Sequence, residues 1–335
     1  MTAPPVEVAR RLAAELLAPA AAGVDATGVL PRGHLDALAG AGLYGLVGPA
    51  DAGGLDADAA TLAAVVEELA AGDLATAFVW LQHHGVVGRL AAAGSHPDLL
   101  ADLCSGRRRA GIALQAATRP DAAPVTLRRD GGEPVLDGAV PWVTGWGLVD
   151  VLLVAARDGE DVALVLADAV EGPGLGVVPQ SLVAVQASAT VELRLTGHRV
   201  PAGGLLGTTP LATVRAGDAA GLRLNGSLAL GLVRRVCRLV GASPLDGELD
   251  AVRARLDAVR ARLDAAGPAD LPAARAEAAA LAHRAAGVLA VVTGSASARA
   301  GSVAGRTVRE ALFLLVFGSR PAIRTALLER FGAGR

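Results

Sequence analysis

His83 and His84 are adjacent in a stretch whose apolar residues recur at helical spacing. Imidazole changes charge nearest neutral pH, so either could serve as a base, although a histidine pair at a helix end with no chemical role is the plainer reading. Trp142 and Thr144 stand two apart in Pro141-Trp142-Val143-Thr144-Gly145. Alone, they read as a β-core tryptophan and a threonine of high strand propensity. All 31 basic residues are arginine, which excludes a P-loop ATPase, a Schiff-base enzyme and any lysine base. Cys104 and Cys237 are far apart with no C-x-x-C spacing, against a disulfide framework or a zinc site and consistent with a reducing, cytoplasmic setting.

The elements that must position these residues fall into three parts. The chain has 335 residues, 52% of them hydrophobic but only 2% aromatic, so Ala, Leu and Val must fill the interior. From Val6 to about Cys104 the period is helical, clearest over Thr61 to Leu81, where Leu62, Val65, Val66 and Leu69 share a face. Between Ala110 and Leu206, short Val- and Leu-rich runs alternate with Gly, Pro and Asp turns. The predicted strands are 111–115, 125–129, 135–136, 149–155, 162–166, 175–179 and 190–195, with hairpin turns at Asp130-Gly131-Gly132 and Asp158-Gly159. That spacing implies an antiparallel barrel or sandwich, and the lack of Gly-x-Gly-x-x-Gly argues against a dinucleotide-binding α/β sheet.

Beyond Pro210 the helical period returns, predicting helices over 211–241, 246–266, 270–293 and 302–331 in an up-and-down bundle. The second carries a heptad stripe of Leu249, Val252, Leu256, Val259 and Leu263, with Arg253 and Asp257 placed to pair. The expected class is therefore α+β: an N-terminal helical domain over 1–105, a middle antiparallel β-barrel or sandwich over 106–208, and a C-terminal four-helix bundle over 209–335. A net charge of -2 gives no footprint for nucleic acid or an anionic membrane, and Arg107-Arg108-Arg109 reads as a solvated turn. With Glu7 and Glu15 interrupting the N-terminus and no run of 18 apolar residues, neither a signal peptide nor a membrane span is expected.

Three stretches in this order resemble the acyl-CoA dehydrogenase family of flavoproteins. Gly42-Leu43-Tyr44-Gly45-Leu46, Pro49, Gly53-Gly54, Glu67-Glu68-Leu69-Ala70 and Asp73 are similar to its N-terminal segment. Pro141-Trp142-Val143-Thr144-Gly145 resembles its W-I-T-N/G strand, and Gln186-Ala187-Ser188-Ala189-Thr190 through His198-Arg199-Val200-Pro201 to Leu206-Gly207 resembles the return to the bundle. The resemblance implies helices, β domain, helices, and an FAD whose ring lies beside Trp142 with the Thr144 hydroxyl at its N5 edge and Val143 among the cofactor-binding residues. It further implies contacts from Leu114 and Gln115, on the first flavin-binding strand, and from Ser319. A homodimer or homotetramer built through the bundle is implied as well.

The pattern also departs from the family. The Glu-Pro and Gly-x-Gly-Ser that approach the pyrophosphate are missing after Gln115, as are the bundle's R-x-x-F-G and Q-x-x-G-G, so weak FAD binding is expected. Phe317 stands where most members carry the glutamate that removes the α-proton, and the stretch around Gly221-Leu222-Arg223 offers no substitute acid. Glu310 lies two helical turns earlier, where pairing with a bundle arginine is its plainer role. Three functions remain open. They are an FAD-dependent oxidoreductase acting on an acyl thioester such as acyl-CoA or a related small carbon acid, with a non-standard or missing base; a flavin oxidase or monooxygenase; and a non-catalytic subunit paired with an active homologue.

Overall fold

A computed structural model describes residues 3–118, 123–217, 220–240, 246–318 and 320–332, without the side chains of 118, 216, 217, 220, 246–249 and 253. Ser319, the Arg253 side chain and the Leu249 side chain therefore lie outside the described residues.

Six helices come first: α1 (Pro5–Leu12), α2 (Ala18–Thr27), α3 (Arg32–Gly40), α4 (Ala59–Gly72), α5 (Leu74–Ala93) and α6 (Pro97–Ser105). The single helix expected over Thr61 to Leu81 is two, because Asp73 leaves helical backbone at φ -145° and caps α5. Its carboxylate accepts from the Thr76 N–H at 2.8 Å and the Thr76 hydroxyl at 2.6 Å, satisfying donors that a helix start would otherwise orphan.

The sheet follows as β1 (Ala110–Ala113), the short helix α7 (Gln115–Thr118), β2 (Thr126–Asp130), β3 (Glu133–Val143), β4 (Val151–Asp158), β5 (Asp161–Asp168), β6 (Leu175–Pro179), β7 (Val191–Arg199) and β8 (Leu205–Pro210). Both expected hairpin turns are present, joining β2 to β3 and β4 to β5. The antiparallel barrel or sandwich is corrected to one open mixed sheet of eight strands, ordered β6-β7-β3-β2-β4-β5-β8, with β1 beside β4. The reason is β1: it enters from the helices and pairs parallel with β4, while β2 touches β4 in parallel at Thr126 and Arg157. β8 was not expected, since its Leu-Leu-Gly-Thr-Thr-Pro sequence lacks a strand's apolar alternation.

The chain ends with α8 (Leu211–Gly217), α9 (Ala220–Leu239), α10 (Asp246–Ala265), α11 (Leu271–Thr293), α12 (Val303–Val316) and α13 (Pro321–Gly332). Val252, Leu256, Val259 and Leu263 of the heptad stripe are buried against the bundle. The helix expected over 302–331 is instead α12 and α13, broken at Phe317 and Gly318. By length and composition alone, Leu271–Ala298 is long and apolar enough to cross a membrane, a test that a core helix also passes. In the fold it contains α11, against which α9, α10, α12 and α13 pack.

The N-terminal helices and the bundle share one core, with α4 lying on α9. Gly231 permits the approach, since a Cβ there would meet the Glu67 carbonyl at 2.6 Å. Buried acids stitch the seam. Glu68 accepts from Arg10 at 3.0 Å, Arg234 at 2.5 Å and Arg238 at 2.6 Å, and Glu67 accepts from Arg260 at 2.8 Å. Burial alone would raise the Glu68 pKa, but Arg238, Arg234 and Arg10 outweigh it and hold the carboxyl below its usual range. Arg235, 4% exposed, pairs with the buried Glu310 and donates to the Ala70 and Ala71 carbonyls at the end of α4. Arg109 departs from the expected solvated turn: it is buried, pairs with Asp36 and lies 5.4 Å over the Tyr44 ring.

Candidate functional site

The Trp142 segment reaches its place through a strained strand end. Val140 pairs with Leu193 and Val143 with Val191, so three steps on β3 oppose two on β7, which is a bulge. Within it Trp142 has φ +63°, a left-handed conformation costly for a side chain of that size. The bulge turns the indole outward, leaving it 49% exposed at the mouth of a cavity, while Val143 packs inside the sheet core. Backbone bonds pin the strand end beyond it: the Gly145 N–H donates to the Ser188 carbonyl at 2.8 Å and the Trp146 N–H to the Ala189 carbonyl at 3.1 Å. Val185 and Ala189, at φ +49° and +48°, flank the one-turn helix Gln186–Ser188 and fold that loop over the cavity.

The cavity has a volume of about 350 Å³, within the range of small-ligand sites. One side carries Trp142, Thr144, Leu114 and Gln115; the other carries Phe78 and Gln82 of α5 and the end of α12. Three of the chain's four phenylalanines form that second wall. Phe313 and Phe317 stack with centroids 5.1 Å apart at 15°, and Phe78 meets them edge-on at 5.2 and 4.8 Å. Thr144 is 4% exposed, lines the cavity, and its hydroxyl makes no hydrogen bond with a described residue. Lining the cavity with no partner among the described residues, this hydroxyl is open to a ligand's polar edge.

Among the described residues, none that lines the cavity is Asp, Glu, His, Cys, Tyr, Lys or Arg. The site thus offers flat apolar walls with the Thr144 hydroxyl and the Gln82 and Gln115 amides, which fits an isoalloxazine ring with apolar faces and a hydrogen-bonding edge. Nothing on the lining suits a pyrophosphate, and residues 119–122 are outside the described set. Leu114, Gln115, Trp142 and Thr144 meet in this cavity, together with Phe317 at the expected glutamate position. Leu312, Phe313 and Val316 also line it, though sequence reasoning passed over them as bundle residues.

His83 and His84 do not line the cavity. His83 is buried at 1% exposure; its Nδ1 accepts from the Ala110 N–H at 3.1 Å, so its Nε2–H donates to the Tyr44 carbonyl at 3.2 Å. Burial pushes its pKa down to about 3, leaving a neutral ring that joins α5 to β1. His84 packs against the Trp80 ring at 4.2 Å with neither nitrogen hydrogen-bonded, and burial lowers its pKa well below the usual value. The burial and packing of both histidines agree with the plainer sequence reading, a histidine pair with no chemical role, rather than with a base facing the cavity.

Residues 6–106 match the family model described as acyl-CoA dehydrogenase, N-terminal domain. Cyclohexane-1-carbonyl-CoA dehydrogenase of Geobacter metallireducens is 32% identical over 213 residues, covering 60% of this chain and 56% of that protein. The 3-sulfinopropanoyl-CoA desulfinase of Variovorax paradoxus is 31% identical over 159 residues, covering 46% and 40%. The matched region thus spans about half the length of these curated relatives or less. The solved structure of butyryl-CoA dehydrogenase from Megasphaera elsdenii superposes with a TM-score of 0.80 at 18% identity, covering 98% of this chain and 96% of that one, a likeness of fold.

Proposed function

Since this chain belongs to the acyl-CoA dehydrogenase family, we propose that it is a flavin-dependent oxidoreductase acting on an acyl thioester, with no acid at the family's usual base position. The observation that carries the reading is the cavity at the β3 bulge, where the unpartnered Thr144 hydroxyl sits among apolar walls. A flavin bound there supplies a hydride acceptor. In this reading Trp142 packs against the ring, the Thr144 hydroxyl donates to its polar edge, and Phe78, Phe313 and Phe317 exclude water from the reacting face. The ring end is better provided for than the phosphate end, so FAD binds weakly. At least a dimer is part of the proposal, and the exposed Val308, Leu312 and Val316, spaced four apart on α12, support it.

The lack of a carboxylate or histidine among the described lining residues favours a second reading on the same fold, a flavin oxidase or monooxygenase, in which oxygen meets reduced flavin and no side chain removes an α-proton. One relative being named a desulfinase supports a wider chemistry than α,β-dehydrogenation. Flavin-loaded protein mixed anaerobically with a panel of acyl-CoAs separates the readings. Bleaching of the flavin band without oxygen supports the first. Stable oxidised flavin with acyl-CoA, together with oxygen uptake once the flavin is reduced by other means, supports the second. Protein that does not perturb the spectrum of added flavin overturns both.

A further inference from the structure

Arg275 on α11 is fully buried, and among the described fully buried side chains only Trp80 is larger. Its Nη2 donates to the Leu314 carbonyl at 2.6 Å and the Phe317 carbonyl at 3.0 Å, while among the described residues Nε and Nη1 have no partner and no carboxylate pairs with it. Burial pushes its pKa down to about 10, so it remains a cation at neutral pH. An unpaired buried charge is costly, yet these two acceptors explain its place. In an uninterrupted helix the Leu314 carbonyl would take the N–H of Gly318, and the Phe317 carbonyl would take that of residue 321. Gly318 has left the helix at φ +58°, and residue 321 is Pro321, which has no N–H. Arg275 supplies both missing donors, and the negative end of the α12 dipole stands in for a counter-ion.

We propose that Arg275 is a positioning residue of the cavity: by taking the Leu314 and Phe317 carbonyls it ends α12 at Val316 and turns Phe317 onto Phe78 and Phe313. The aromatic wall is then set from a different helix, by a residue that does not line the cavity. A helix running through 317–320 would carry Phe317 round with the helical period and open that wall.

Because the chain has only four phenylalanines, fluorophenylalanine labelling gives four ¹⁹F resonances, with Phe331 on α13 as a reference outside the wall. Arg275→Met keeps bulk but removes charge and donors; Arg275→Lys keeps a charged donor. The expected result is that Arg275→Met moves or broadens the Phe313 and Phe317 signals and leaves Phe331 in place, Arg275→Lys restores most of the wild-type pattern, and the melting temperature does not fall. Pro321→Ala, an exposed change that returns an N–H to compete for the Phe317 carbonyl, moves the same two signals and decides the matter if the Met variant does not fold. Four unchanged resonances in the Met or Ala variant, or a uniform collapse in the Met and Lys variants alike, overturn the proposal. A second readout rests on the proposed flavin site: titration with FAD weakens at least tenfold in Arg275→Met and less than threefold in Arg275→Lys. Wild-type protein that binds no flavin sinks the flavin reading alone, because the fluorine spectra still decide Arg275.

Discussion

α12 serves two regions of opposite chemistry. Its Arg306 and Glu310 face the seam with α4 and α9, where charges are buried and the carboxylates are taken up by arginines; its Leu312, Phe313 and Val316, with Phe317 just beyond its end, face a cavity lined by no charged group among the described residues. The difference teaches that, in this chain, groups that look reactive hold helices together, and groups that look like packing form the site. Glu67, Glu68, Glu310, His83 and His84 are buried and structural, whereas Trp142, Thr144 and Phe317 meet around empty volume.

Breaking the seam should have the largest effect. Glu310→Leu strands the buried Arg235 and should cost about 3–5 kcal/mol of stability, read by denaturant unfolding. A loss below about 1 kcal/mol would mean the ion pair is incidental.

The histidines come next. His83 and His84 have pKa values depressed by burial, so the unfolded chain takes up protons as pH falls through about 6.5 while the folded chain does not. Their contribution is complete above that pH and is lost below it, at about 1.4 kcal/mol per pH unit for each histidine. Between pH 6.5 and 5, before the lowered carboxyl of Glu68 titrates, His84→Phe should flatten the slope of stability against pH. Flavin binding should stay level from pH 6 to 8, because no titratable group lines the cavity.

The order of helices, strands and helices was legible in the period of the apolar residues, as were both hairpin turns. What stayed hidden depended on distant partners. The parallel entry of β1 is set by β4, about forty residues on, and the end of α12 by Arg275 on another helix. Asp73 was visible as part of a family-like segment but not as a cap, because a cap shows only when its partner Thr76 is seen. Of the site, Trp142 and Thr144 were visible through a family-like motif, but the bulge that turns Trp142 outward leaves no mark in composition. His83 and His84 kept a base reading open beside the plainer one because the residue type carries no information about burial.

Smaller effects sharpen the cavity side. Thr144→Val should weaken flavin binding about five- to tenfold, the loss of one hydrogen bond, with stability nearly unchanged because the hydroxyl has no protein partner. Flavin fluorescence titration measures this, and equal affinity in the two proteins would remove Thr144 from the site. Smaller still is the difference between cofactors: FMN and FAD should bind within about threefold of each other, since the lining holds nothing basic for a second phosphate. A hundredfold preference for FAD would reveal an anchor outside the described residues.

The most direct test of the central claim is the visible absorption spectrum of FAD before and after addition of excess protein. The account predicts bands shifted from those of free FAD, and loss of that shift in Trp142→Ala. A colourless protein whose addition leaves the spectrum of FAD untouched would contradict it.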